Sequence, residues 1–212
     1  VAWSESSAVT FANSVLGAKT NREGGPSALA AAFVGKTPCY GLHLDENRVP
    51  NIHVKVDASL TKFSDWGALG YAIGKKAENK IPYITGIKEA ELDELKSFCA
   101  SVVTYGAKPL FYMDGITPGA ERWPVPKETV TIEQRDIQEA YDRINDDVSD
   151  IDFVCIGCPH CSIKEIAEIA RLLEGKKIAA NTEFWVATSR SVKQLADKRG
   201  YTAIIEQAGG KF

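Results

Sequence analysis

Ile52, Val54 and Val56 alternate with His53 and Lys55, a period of two that predicts a strand with one buried and one exposed face. Apolar runs at about Ile81–Ile87, Pro109–Met113, Ile151–Val154, Glu183–Ala187 and Ala203–Ile205 read as further strands. Between them the period changes to that of a helix. Ala8, Phe11, Ala12, Val15 and Leu16 share one face of a helix over Ser4–Leu16, which Gly17 ends. Ser27 reads as the cap of a helix over Ala28–Val34, whose alanines predict close packing against another element. Helices are expected after Ser64, where Gly67, Gly70 and Gly74 favour tight helix packing, and over Glu89–Tyr105. Thr131 and Gln134 have capping-box spacing and open a charged helix to about Asn145. Ser162 and Glu165 have the same spacing ahead of Ile163, Ile166, Ile169, Ala170 and Leu173, and a last helix runs from about Ser191 to Arg199. Strands separated by helices of this length imply right-handed βαβ units, hence an α/β protein with mainly parallel sheets flanked by helices and sites at the strand carboxyl ends. Residues Thr117 to Val130 hold three prolines with Glu121, Arg122 and Trp123, and are the candidate lid or connecting loop.

Composition narrows the class. With 44% hydrophobic and 25% charged residues among 212, the chain has enough apolar material for a sizeable core. No run of 18 apolar residues occurs, and Val1-Ala2-Trp3-Ser4-Glu5 lacks the basic and apolar regions of a signal peptide, so no membrane association and a cytoplasmic location are expected. Five cysteines, an odd number with three crowded together, fit a reducing compartment better than a secreted disulfide framework. A net charge of -3 without a long Lys/Arg block argues against a nucleic-acid partner. The chain opens without methionine in what reads as a helix and stops at Gly209-Gly210-Lys211-Phe212, so an excised piece of a longer polypeptide is expected.

The chemistry concentrates in Cys155-Ile156-Gly157-Cys158-Pro159-His160-Cys161-Ser162, where an apolar strand gives way to a helix. Free N–H groups and the positive end of the helix dipole favour a thiolate, an anionic substrate or a negatively charged cluster there. A closed zinc site needs a second ligand knuckle, and the sequence has none. Cysteines at successive intervals of three match the start of a ferredoxin-type motif, but the fourth cysteine is absent after Cys161. A partial ligand set completed elsewhere is the third chemistry, and buried small hydrophobes in a strand are the bland alternative for each thiol. Cys158, between Gly157 and Pro159, is the best candidate ligand. A second polar stretch, Thr20-Asn21-Arg22-Glu23-Gly24-Gly25-Pro26, is either a solvated turn or a carboxylate- or phosphate-binding loop built from a guanidinium fork and exposed N–H groups. His53 is expected at the surface, and His43 has no evident partner.

Four stretches together resemble one family. Trp3-Ser4-Glu5-Ser6-Ser7-Ala8, the loop from Thr20 through Leu29, Tyr40-Gly41-Leu42-His43-Leu44-Asp45 and Gly157-Cys158-Pro159-His160 are similar to the large, catalytic part of the aconitase X family, over essentially the whole chain. The resemblance implies an aconitase-like α/β fold, a fragment of a catalytic region with two α/β subdomains meeting near residues 115–130, and an iron–sulfur hydro-lyase. Members of the family dehydrate phosphomevalonate in a mevalonate route or cis-3-hydroxy-L-proline in catabolism, so a small anionic substrate is implied, with phosphomevalonate slightly favoured by the Arg22 loop. Carried over residue by residue, Cys158 is a cluster ligand, and Glu5, Ser6, Asn21 and Arg22 are substrate-binding positions. The resemblance further implies a 4Fe-4S cluster completed by cysteines outside residues 1–212, and a small swivel subunit or domain that closes the site. Cys155 and Cys161 fall outside the family's ligand set, and the residues identify no general base. The reading from another class is a non-catalytic metal- or redox-binding α/β module resting on the cysteine triplet alone.

Overall fold

The structure, a computed structural model, describes residues 6–212, with the backbone alone at Ser6. In chain order the elements are α1 (Ser6–Ser14), α2 (Gly25–Val34), β1 (Ile52–Asp57), α3 (Phe63–Lys76), β2 (Pro82–Thr85), α4 (Leu92–Gly106), β3 (Tyr112–Met113), β4 (Thr129–Glu133), α5 (Gln134–Ile144), β5 (Phe153–Ile156), α6 (Ile163–Leu173), β6 (Glu183–Val186), α7 (Arg190–Lys198), α8 (Tyr201–Ala208) and β7 (Gly210–Lys211). They fall into two units, divided between Asn145 and Asp146.

In the first unit the strands are parallel in the order β3-β2-β1-β4. The alternation that predicted β1 sorts its side chains: Ile52, Val54 and Val56 enter a core with Leu69 and Ile73 of α3, Phe98 and Val102 of α4, and Ile137 of α5. Two glycine positions bring α3 and α4 together as the sequence predicts. A Cβ on Gly70 would sit 2.7 Å from Ser101 Cβ, and one on Gly106 would sit 2.4 Å from Gly74 Cα, so neither crossing tolerates a side chain. Gly67 is not part of that constraint, having ordinary contact at 3.6 Å. On the other sheet face Tyr83 and Tyr112 join Leu110 and Ala120 in a second, smaller core with Leu42 and Trp123. His53 lies on that face too, its ring nitrogens 2.8 Å from the Thr85 hydroxyl and 3.3 Å from that of Thr129.

The second unit is a parallel sheet ordered β5-β6-β7. Ile166, Ile169 and Ala170 of α6, Ala196 of α7 and Ile205 of α8 pack with Val186 and Phe184 of β6. Phe153, Cys155 and Trp185 are exposed, and the Phe153 and Trp185 rings meet edge to face at 5.5 Å. Among the described residues, no helix is long and apolar enough to cross a membrane.

Five expectations change. The division is not in residues 115–130, because β4, which begins at the end of that stretch, pairs with β1 from His53↔Thr129 to Asp57↔Glu133 and completes the same sheet. Thr131 accordingly lies inside a strand, as β-branched Thr129, Val130, Thr131 and Ile132 favour, and α5 starts at Gln134 with Glu133 and Asp136 forming its capping box. The run Ala203–Ile205 is helix, not strand, since Thr202, Ile205 and Ala208 bury one helical face; a three-residue apolar run does not distinguish the two periods. Ser27 is inside α2 rather than capping it, and α2 buries none of its residues against the described chain, with Phe33 82% exposed.

Candidate functional site

The carboxyl end of β5 forms an arch. The chain leaves Ile156 through Gly157, whose φ of 132° places its Cα against the neighbouring strand: a Cβ there would lie 2.3 Å from Ala187 O. Only glycine suits that combination of backbone angle and contact. Ala187 then holds both feet of the arch. Its N–H donates to Ile156 O at 2.8 Å, and its carbonyl accepts from Cys161 N at 2.9 Å. The Thr188 hydroxyl adds a third tie by donating to Cys161 O at 2.6 Å. Cys158, Pro159 and His160 span the gap between these ties, and α6 starts directly behind. Ser162 caps α6 as predicted, its hydroxyl accepting from Glu165 N at 3.2 Å while Ser162 N donates to Glu165 Oε2 at 2.7 Å.

This geometry separates the three thiols. Cys158 is exposed on the arch, Cys155 is exposed on β5, and Cys161, 2% exposed, is part of the helical core of its unit. Among the described residues no group of three His, Cys, Asp or Glu side chains is arranged to hold a metal ion. Of the distant cysteines, Cys39 is exposed and Cys99 is buried, where desolvation drives its thiol far above the usual range.

The polar loop that follows α1 is built around Asn21. Its side chain, 8% exposed, accepts from Leu42 N at 2.5 Å and donates to Tyr40 O at 2.8 Å. Gly41, between those partners, has φ 58°, and a Cβ would come within 2.4 Å of Asn21 Oδ1. Arg48, also buried, donates to Leu42 O and Ala18 O, each at 3.0 Å, and so fixes the same two segments from below. Glu23 receives hydrogen bonds from Ser27 and from the Tyr40 hydroxyl; the Ser27 bond above all, then those of Tyr40 and Asn21, hold its carboxyl below the usual range. Arg22 is exposed and no described residue pairs with it. The loop is therefore anchored at Asn21, while Arg22, Gly24, Gly25 and Pro26 are exposed. His43 lies 3.4 Å from the Thr37 hydroxyl. Glu5 and the side chain of Ser6 lie outside the described residues.

Sequence reasoning missed Ala187 and Thr188. Their signal was positional: they follow the strand adjacent to the cysteine strand, and neighbouring parallel strands end at one edge, where α/β proteins assemble sites.

Comparison with known proteins agrees with these motifs. Models of the aconitase X first, second and third domains match residues 1–46, 50–142 and 151–212. The phosphomevalonate dehydratase large subunit of Thermococcus kodakarensis is 48% identical over 100% of this chain and 55% of its own length, and that of Methanocaldococcus jannaschii 47% identical over 100% and 54%. The cis-3-hydroxy-L-proline dehydratase of Pseudomonas aeruginosa is 31% identical over 100% of this chain and 38% of its own length. The crystal structure of Thermococcus kodakaraensis aconitase X matches with a TM-score of 0.91 and 48% identity, covering 100% of this chain and 55% of the crystallised one. The chain thus spans about half the length of the large subunits that it matches. With its motifs, its parallel α/β sheets and three successive domain models in agreement, the chain belongs to the aconitase X family.

Proposed function

We propose that this chain is part of an iron–sulfur hydro-lyase that dehydrates phosphomevalonate. The observation that carries the substrate is the difference in likeness: identity to phosphomevalonate dehydratase large subunits reaches 48%, against 31% to the cis-3-hydroxy-L-proline dehydratases. The Asn21-Arg22-Glu23 loop supports it, since a substrate that is anionic at both ends suits a guanidinium fork at one of them. The names of the relatives speak of a large subunit, and the working enzyme is proposed to include a small partner that completes the site.

The residues present suit a cluster in one respect that the fold makes specific. The arch turns Cys158 outward at a strand carboxyl end, ahead of the α6 N-terminus, while Cys161 is withdrawn into the core. Cys158 would supply one thiolate, with the remaining ligands coming from outside residues 1–212. When bound, such a cluster supplies a Lewis-acidic iron for the departing hydroxyl. The chain's own contribution is orientation. Arg22 holds an anionic end of the substrate, Asn21 and Arg48 keep the Arg22 loop against the 40–42 segment, and Glu5 and Ser6 are the further proposed contacts. The α6 N-terminus adds a field that favours negative charge beside Cys158.

The complete enzyme, assembled with its small partner and assayed on both substrates, tests this reading. Phosphomevalonate should be dehydrated, and Arg22→Lys, which keeps the charge but loses the fork, should lose about 1.5–3 kcal/mol of transition-state stabilisation in kcat/KM. Turnover of cis-3-hydroxy-L-proline alone would discard the substrate, and failure to dehydrate either would discard the hydro-lyase.

A further inference from the structure

We infer that α2 is the docking helix for the small partner subunit, which seats on its bare apolar face beside the Arg22 loop. The inference rests on the proposal that a partner completes the site, and adds where on this chain it binds. Every residue from Ala28 to Val34 is apolar, and a helix that is apolar all round is ordinarily buried. The described residues cover only one stripe of it, and only in part. Ala28 and Ala31, three apart, are half-buried, whereas Leu29, Phe33 and Val34 are 48%, 82% and 67% exposed. Tyr40, 52% exposed, belongs to the same surface, because its hydroxyl and that of Ser27 in the first turn of α2 both donate to Glu23. Four large side chains with no charge among Leu29–Gly35 make the apolar centre of an interface, around which a polar rim forms. The Glu23 bonds also tie α2 to the Thr20–Pro26 loop, so a body lying on Leu29 and Phe33 lies beside Arg22. Of the bodies that could cover α2, the partner is the one proposed to act at that loop. The part of the large subunit outside the matched 55% and a second copy of the chain are the others, and each gives a different result below.

The test follows hydrogen exchange in α2 of the full-length large subunit, alone and with the small subunit, and measures the affinity of the two subunits without substrate. The amides of Ala28 and Gly35, which close the two ends of the helix on Gly24 O and Ala31 O, are the reporters. Exchange there should slow on the order of tenfold or more when the small subunit is added. Phe33→Asp should weaken association on the order of tenfold or more, at an unchanged melting temperature of the large subunit alone, and Phe33→Leu should keep most of the affinity. Slow exchange already present in the large subunit alone overturns the inference in favour of its own further length. Protection that grows with the concentration of the large subunit alone overturns it in favour of a second copy. Parental affinity in Phe33→Asp, or a loss that follows a lowered melting temperature of the large subunit alone, overturns it as well. The underlying reading falls separately, because turnover is measured on the assembled pair. Docking at α2 by a pair that dehydrates neither substrate discards the hydro-lyase and keeps the docking helix; dehydration by a pair whose association ignores Phe33 discards the docking helix alone. A large subunit that binds no small subunit discards the partner and the docking helix together.

Discussion

Gly157→Ala tests whether the arch is held by the contact seen on Ala187 or merely by the turn chemistry of its own residues. The substitution meets two penalties. At φ 132° an L side chain is strained, by about 1–2 kcal/mol. The new Cβ would also lie 2.3 Å from Ala187 O and 2.8 Å from Ala187 Cβ, and neither is the free end of a flexible side chain, so β5 and β6 must separate locally. Overpacking of that kind costs about 1–3 kcal/mol, giving roughly 2–5 kcal/mol together. Gly175 provides the control, because its φ is also positive, at 69°, yet nothing lies within 4 Å of a Cβ there. Gly175→Ala should therefore show the strain alone, about 1–2 kcal/mol. Hydrogen exchange at Cys161 and Ala187, whose amides anchor the arch, reads the difference in the full-length protein. Equal effects of the two substitutions would mean that the close approach of β5 to β6 contributes nothing, and the account of the arch would be wrong.

Two further predictions concern the first unit. Lys108 is 3% exposed with its ammonium 3.2 Å from Ala77 O, and burial pulls its pKa down to about 8, with Glu78 opposing. Unfolded, it titrates near its ordinary 10.5, so between those values the unfolded chain binds more protons and stability rises with pH. The burden of the buried charge, up to about 3 kcal/mol, is present in full below the folded pKa and relieved above it. Lys108→Met should be more stable than the parent in urea titrations at about pH 7 and should lack the rise toward about pH 9.5; an undiminished rise in the variant would refute this. Asn21→Ala strips Leu42 N and Tyr40 O of their partner, a penalty of about 1–3 kcal/mol, so exchange at Leu42 should accelerate by at least about fivefold. Unchanged exchange there would show that Arg48 alone carries the loop.

What the sequence disclosed and what it withheld divide by range. The β1 alternation, the Ser162–Glu165 box and the Gly70 and Gly74 spacing are local codes, each read within about one or two turns or a single strand, and each appears in the structure as written. Ala203–Ile205 failed because three apolar residues fit either period, and the deciding partners, Thr202 and Ala208, flank the run. β4 failed because proline and charge before it drew attention to a loop, while the pairing that defines the strand is with β1, more than 70 residues earlier. The candidate site divides in the same way. The break in the strand before Cys158 was legible from Gly157 and Pro159, yet Gly157 is glycine on account of Ala187, which no local pattern connects to it. The Thr20–Pro26 loop left a turn and a binding loop equally open, because what anchors it is Asn21 reaching across to Leu42 and Tyr40, with Arg48 beneath. The alanine-rich α2 is the converse case. Its composition predicts close packing against another element, and the described residues leave it bare. Positions of that kind are where function and assembly act on a sequence without leaving a local period to read.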